Sequence, residues 1–226
     1  MTEKSILGWH FVGPTLRDGR PIPPDGEWLT EPRYFKGTVV PPDTPLVLCR
    51  TGFHGSRCIL DALDYAFANT RWICRTRHAV DIIEDNDKFT SRHRKILWRV
   101  EADPVLYAFA RRCALDVAHM WDCPYVVVQY LRTGNESLRE AAARVAAWAA
   151  EAAVPAARVA AGAGVWEAAA NSVPAARVAR AEDVKEWADV KEWASKHQKH
   201  TLLSMVSEAR AGRTEWVWNE NEEAKS

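Results

Sequence analysis

Three short segments in the first hundred residues bring histidine, glycine and carboxylate side chains together in patterns that could do chemistry. In Gly8-Trp9-His10-Phe11-Val12 the two-residue period of a strand puts Trp9 and Phe11 on one face and turns His10 to the other. Gly52-Phe53-His54-Gly55-Ser56, followed by Ile59, Leu60 and Leu63, reads as an extended segment that enters a helix at Ser56, whose hydroxyl suits an N-cap. His54 then stands beside a helix N-terminus, where free amides and the helix dipole favour an anion such as phosphate. The third segment runs from Val80 into the acidic turn Glu84-Asp85-Asn86-Asp87-Lys88. A carboxylate there is a candidate catalyst if the turn folds back onto His10 and His54, and an ordinary solvated loop if it does not. The two imidazoles carry the same ambiguity, since a histidine tip can also serve only to bond backbone groups. No metal is indicated, because the acidic run lacks the twelve-residue calcium pattern and the histidines and cysteines lack ligand spacing.

Two further segments interleave cations with tryptophan: Arg71-Trp72-Ile73-Cys74-Arg75-Thr76-Arg77-His78 and Arg92-His93-Arg94-Lys95-Ile96-Leu97-Trp98-Arg99. If both are strands of one sheet, alternate side chains make a basic face for phosphates, with Arg71, Arg75, Arg77, Arg92, Arg94 and Lys95 as its cations. The competing reading is a solvated face balanced by Asp81, Glu84, Asp85 and Asp87. Thirty Lys+Arg against thirty Asp+Glu leave no net charge, which excludes a generally basic nucleic-acid binder and makes any such function local.

The elements that must position these groups follow from composition. Residues 1–103 hold most of the twelve prolines, frequent glycine and short apolar runs, the pattern of short strands and turns. Residues 104–134 turn helical: PVLYAFARRCALDVAHMW has helical spacing, Pro124 interrupts it, and YVVVQYLRT should end at Gly134. Residues 135–212 open on the capping-box spacing Ser137-x-x-Glu140 and become rich in alanine and tryptophan, with VPAARVA repeated at Val154 and Val173. Pro155 and Pro174 break that stretch into several helices, and Trp148, Trp166, Trp187 and Trp193 are candidates for self-association. Residues 213–226 form a tail, exposed apart from Trp216 and Trp218. The fold class expected is therefore α+β, a small mixed sheet module followed by helices. Five cysteines without a C-x-x-C pair read as reduced thiols, with Cys49 and Cys74 buried in apolar runs. No run approaches the roughly 18 apolar residues needed to span a bilayer, and the N-terminus has no leader pattern, so a cytosolic chain without a membrane partner is expected.

Together GWHFV, DGRPIPPDGEW, PLVLCRTGFHGS, DALDYA, EDNDK, RKILWRV and the CALDVAHMWDCP to YLRTGNESLREAA stretch resemble an uncharacterised family of phage and prophage proteins, over most of the chain. A second resemblance is to the ADP-ribosyltransferase superfamily, including the RNA 2′-phosphotransferases. There an early strand carries a histidine, matched by His10, and a later G-x-Y-x-[TSA] segment leads into a helix, matched by Gly52-Phe53-His54-Gly55-Ser56 with histidine in place of the tyrosine. The resemblance implies NAD as the bound nucleotide, His10, Gly52, His54 and Ser56 as its contacts, and a carboxylate of the acidic turn, Glu84 the best match among Glu84, Asp85 and Asp87, to stabilise charge developing on the ribose. It implies a nucleotide transferase acting on a host protein or nucleic acid. The alternative from the residues alone is a non-enzymatic binding or assembly module.

Overall fold

Strand β1 (Ser5–Val12), β4 (Trp72–Ala79) and β7 (His93–Glu101) are rich in aromatic and β-branched residues and carry the alternation that a sheet between two environments requires. With β2 (Trp28–Leu29) they form an antiparallel sheet in the order β1-β4-β7-β2. Between them, β3 (Phe53–Gly55), β5 (Ile83–Glu84) and β6 (Phe89–Ser91) make a second sheet in the order β3-β6-β5, with helix α1 (Ile59–Leu63) after β3. The computed structural model describes residues 5–33, 38–116, 118–120, 123–152 and 184–218. It has the α+β class expected, in two compact units, Met1–Ala102 and Asp103–Ser226.

Register assigns every strand residue to a face. His10 pairs with Cys74, Gly8 with Thr76 and Ile6 with His78, so these side chains point one way. On β7 the pairing runs Ile73↔Val100, Cys74↔Arg99 and Arg75↔Trp98, then skips Leu97 and resumes at Thr76↔Ile96 and His78↔Arg94. That bulge reverses the parity of the strand. As a result Arg94 and Ile96 join Cys74, Thr76 and His78 on the face that carries His10, while His93, Lys95, Trp98 and Val100 share the other. Val12, Leu16, Cys74 and Ile96 pack as an apolar cluster on the first face, with Ile22, Leu29 and Trp72 against it.

The Phe89 ring closes that face near Gly8 and Gly55. A Cβ at Gly8 would stand 2.5 Å from the tip of Phe89, and one at Gly55 would stand 2.9 Å from His78 Nε2 and 3.0 Å from Phe89. Glycine at both positions is what lets a fully buried phenylalanine fit there. β1 and the segment after β3 are joined by a backbone bridge, Trp9 N–H to Ser56 O at 2.8 Å and Ser56 N–H to Trp9 O at 3.1 Å.

In the second unit, helix α2 (Ala102–Asp116) buries Val105, Leu106, Phe109 and Cys113 at helical spacing, then passes through a 3-10 turn at Ala118–Met120. Helix α3 (Tyr125–Thr133) begins after Pro124 and ends at Gly134, left-handed at φ 66, whose N–H bonds Tyr130 O. Helix α4 (Glu136–Ala152) is capped by Asn135, whose Oδ1 accepts from the Ser137 amide at 3.0 Å and the Ser137 hydroxyl at 2.8 Å. The cap expected at Ser137 therefore belongs to Asn135, since Ser137 lies inside the helix. Helix α5 (Val184–Arg210) buries Leu202, Met205 and Val206. Arg111 ties α3 to the tail: its guanidinium donates to Leu131 O and Trp216 O, both at 3.1 Å, and stacks on Trp218 at 5.0 Å. Trp216 is buried and donates to Glu208 at 2.8 Å. The repeated VPAARVA phrases and Trp166 lie outside the described residues, as do the side chains of Trp148, Trp187 and Trp193.

Two cysteine expectations separate here. Cys74 is buried, as its apolar run suggests, but Cys49 is exposed. PLVLCR forms turns instead of a strand, and Cys49 sits at φ 63 within them.

Replacing Gly8 by alanine should cost about 1–3 kcal/mol through overpacking against Phe89, read as a lower denaturation midpoint. Combining it with Phe89→Leu should recover part of the loss, and a double variant no better than the sum of the two singles would contradict this packing.

Candidate functional site

Arg94 is the least expected member of the site. It is only 5% exposed, and its Nη1 donates to the His54 carbonyl at 3.2 Å while the guanidinium lies 5.2 Å over the Phe53 ring. Its Nε is buried with no hydrogen-bond partner among the described residues. Asp18 exerts a field on it but is itself held by Arg20, at 3.0 Å from Nε and 2.7 Å from Nη2. Burial pushes the Arg94 pKa down to about 10, and even so the group stays a cation at neutral pH.

Three histidines lie within its field. His78 is fully buried, with Nδ1 2.8 Å from Ser91 Oγ, Nε2 3.1 Å from Thr76 Oγ1, and Phe89 packed edge-on at 4.7 Å. His54 accepts the Cys49 amide proton on Nε2 at 2.8 Å, which places its own proton on Nδ1 when neutral. Its pKa falls to about 4, first because of burial and then because of Arg94, Lys88 and Arg17. His10 is partly buried and has no hydrogen bond to a described side chain. Burial holds its pKa well below the usual imidazole value, followed by the charges of Arg94, His78, His54 and Arg17. Burial and Arg94 lower His78 as well. The cluster is thus a set of neutral imidazoles around a buried cation, a combination suited to hold an anion and to bond its hydroxyl groups.

The acidic turn meets this cluster through its lysine. Lys88 acts on His54, donates to the Tyr65 hydroxyl at 2.9 Å and stacks on that ring at 4.8 Å. Tyr65 in turn donates to Asp87. Glu84 is bound by Arg57, at 2.9 Å from Nε and 2.6 Å from Nη2. The structure therefore brings His10 and His54 within electrostatic reach of each other, with Arg94 and His78, and it places Glu84 in an ion pair.

The loop expected to cradle an anion has other duties. Helix α1 starts at Ile59, is capped at Cys58 without a side-chain bond, and has five residues, so Ser56 is not its cap. Ser56 is instead the bridge to Trp9. Gly52 is left-handed at φ 88, and a Cβ there would strike Thr90 Oγ1 and stand 2.9 Å from Ser91 O, so its role is the close passage of the chain over β6.

The proposed basic surface divides in the same way. Arg75, Arg77 and Lys95 share the sheet face opposite His10. Arg92 is paired with Asp81 at 2.7 Å and donates to Thr44 O, and Arg71 stacks on Trp72 at 5.4 Å. Arg94 is withdrawn from that surface altogether, because the bulge at Leu97 turns it inward. Sequence reasoning missed His78 as a neighbour of His10 for want of the β1–β4 register, although Cys74, Thr76 and His78 alternate correctly for it. Among the described residues no group of histidine, cysteine and carboxylate side chains could hold a metal, and no helix is long and apolar enough to cross a membrane. No family model, curated protein or solved structure matches the chain.

The neutral histidines set a pH dependence. A folded-state pKa below the unfolded value means that the unfolded chain binds more protons on acidification. This contribution to stability is therefore whole above the ordinary imidazole value of 6.5 and is lost as pH falls toward about 4. His54 alone should account for about 3 kcal/mol across that window. Denaturation midpoints taken through it should fall steadily, and His54→Gln should flatten the profile; a profile unchanged by that substitution would contradict the assignment.

Proposed function

We propose that the N-terminal unit binds a nucleotide through its phosphates at the His10, His54 and Arg94 cluster and acts on it as a transferase of the ADP-ribosyltransferase type, with NAD as the nucleotide. The observation that carries this reading is Arg94, a cation 95% shielded from water, with an unpartnered Nε and no carboxylate bonded to it among the described residues. Burying such a charge costs several kcal/mol unless an opposite charge and good hydrogen bonds compensate. A phosphate supplies both, and its oxygens match the planar donor edge of a guanidinium. Arg17 and Lys88 add to the same field. His10, neutral and without a hydrogen bond to a described side chain, suits a ribose hydroxyl. In this reading Glu84 stabilises positive charge on the ribose as nicotinamide leaves.

A second reading, binding without turnover, is favoured by one contact: Glu84 is neutralised by Arg57. The acceptor, protein or nucleic acid, belongs to the first reading alone.

Thermal unfolding separates a ligand site from a structural cation. Arg94→Met should leave the unliganded protein as stable as the wild type or more so, because a buried, poorly compensated charge gives way to an apolar chain of similar volume. The wild type should gain stability on adding inorganic phosphate or NAD, and the variant should not. Arg94→Met that unfolds the unliganded protein, or a wild type indifferent to both ligands, would sink the proposal. Nicotinamide release from NAD then decides between the readings. Turnover abolished by Glu84→Gln supports the transferase, whereas NAD binding with no release leaves a binding module.

A further inference from the structure

We propose that the opposite face of the four-stranded sheet binds single-stranded nucleic acid. This inference is independent of the nucleotide reading, because it uses the side chains that the Leu97 bulge turns away from Arg94.

One row of that face crosses all four strands. Leu7 pairs with Arg77, Arg77 with Lys95, and Lys95 with Trp28. A neighbouring row holds Trp9, Arg75 and Trp98 in register, and His93 lies beside the first row. None of the side chains that β1, β4 and β7 present on this face is acidic. Arg75, Arg77 and Lys95 form no ion pair with a described carboxylate; two of them rest on indole rings, Arg75 on Trp9 and Lys95 on Trp28, each at 4.8 Å. Trp98 meets Trp9 edge-on at 5.6 Å, and His93 is 6.3 Å from Trp28. Arg77 is exposed, and Leu7 and Trp28 are 42% and 37% exposed.

The Arg77–Lys95 pair is the telling feature. Like charges directly opposite each other on neighbouring strands destabilise a sheet. Among the described residues no carboxylate is paired with either, and a polyanion that tracks across the strands would neutralise both. The exposed indole of Trp28 supplies a flat surface for a base, and the cation stacked on it adds to the platform. Unstacked bases with a flexible phosphate backbone can use rings and cations alternating over a few ångströms, whereas a duplex hides its base faces. Charge complementarity and the aromatic platform together select single strands over duplex and over an acidic peptide, which has charge but no rings to stack.

The test is anisotropy of fluorescein-labelled oligouridylate and oligothymidylate of about 20 nucleotides titrated with the full chain, starting near about 50 mM salt, where phosphate contacts are strongest. Binding should weaken linearly with salt on logarithmic axes. Arg77→Ala and Lys95→Ala should each reduce the slope by about one, and Trp28→Ala should weaken binding about tenfold with the slope unchanged. Unliganded Arg77→Ala should unfold no earlier than the wild type, since it relieves repulsion, so a loss of binding cannot be ascribed to misfolding. The proposal is overturned by no binding at low salt, by substitutions that leave both affinity and slope unchanged, by tighter binding of a duplex of the same length, or by polyglutamate that binds as well as the oligonucleotides.

Discussion

A single unpaired residue in β7 governs the chemistry of the N-terminal unit. Leu97 has no partner in the β4–β7 register, and its insertion exchanges the two faces for every residue between His93 and Ile96 relative to Trp98 and Val100. Pairing Leu97 regularly with Thr76 would instead set Lys95 opposite His78 and Arg94 opposite Ala79, sending Arg94 out to the face of Trp98 and bringing Lys95 and His93 into the layer beneath Phe89. The interior would then hold a lysine where the arginine stands, and the surface would lose the Arg77–Lys95 pair. The bulge is thus the device by which one basic segment serves two environments.

What the inward arginine meets is set by the partner strands. Around it stand small or hydroxylated residues: Gly8 and Gly55 leave room for Phe89, and Thr76 and Ser91 satisfy His78 on both nitrogens. The hydroxyls leave nothing over for Arg94, whose only described polar acceptor is a carbonyl. Desolvation and the cationic field act in the same direction on all three imidazoles, so they stay neutral and behave as hydrogen-bonding groups at ordinary pH.

Much of this was legible in the chain. Alternation in GWHFV put His10 opposite Trp9 and Phe11, because β1 lies between two unlike environments, and Gly134 ended α3 as left-handed glycine does. The helical spacing of residues 104–116 likewise reflects burial of one face. The features that escaped are those with no local signature. A bulge is a relation between two strands, so neither RHRKILWRV nor RWICRTRHA contains it. Ser56 has the composition of a cap but is drawn into a bridge by Trp9, forty-seven positions earlier, and Asn135 outcompetes Ser137 by standing just outside the helix. Cys49 sits in a run as apolar as that of Cys74, and only the turn that hands its amide to His54 exposes it.

The strand order also has a temporal meaning. Ser5 pairs with Ala79, Trp9 with Ser56 and His54 with Thr90, so nearly every contact that encloses Arg94 joins segments far apart in the chain. Closing such loops costs entropy before any contact rewards it, and sheets of this kind assemble slowly, whereas the α3–α4 hairpin forms from neighbours. During synthesis β1 has no strand to pair with until β4 has left the ribosome, and β4 lacks its second neighbour until β7 follows. Through that interval the aromatic face of β1 is an open edge, and the chain's exposure to aggregation is greatest before its buried charge has been enclosed.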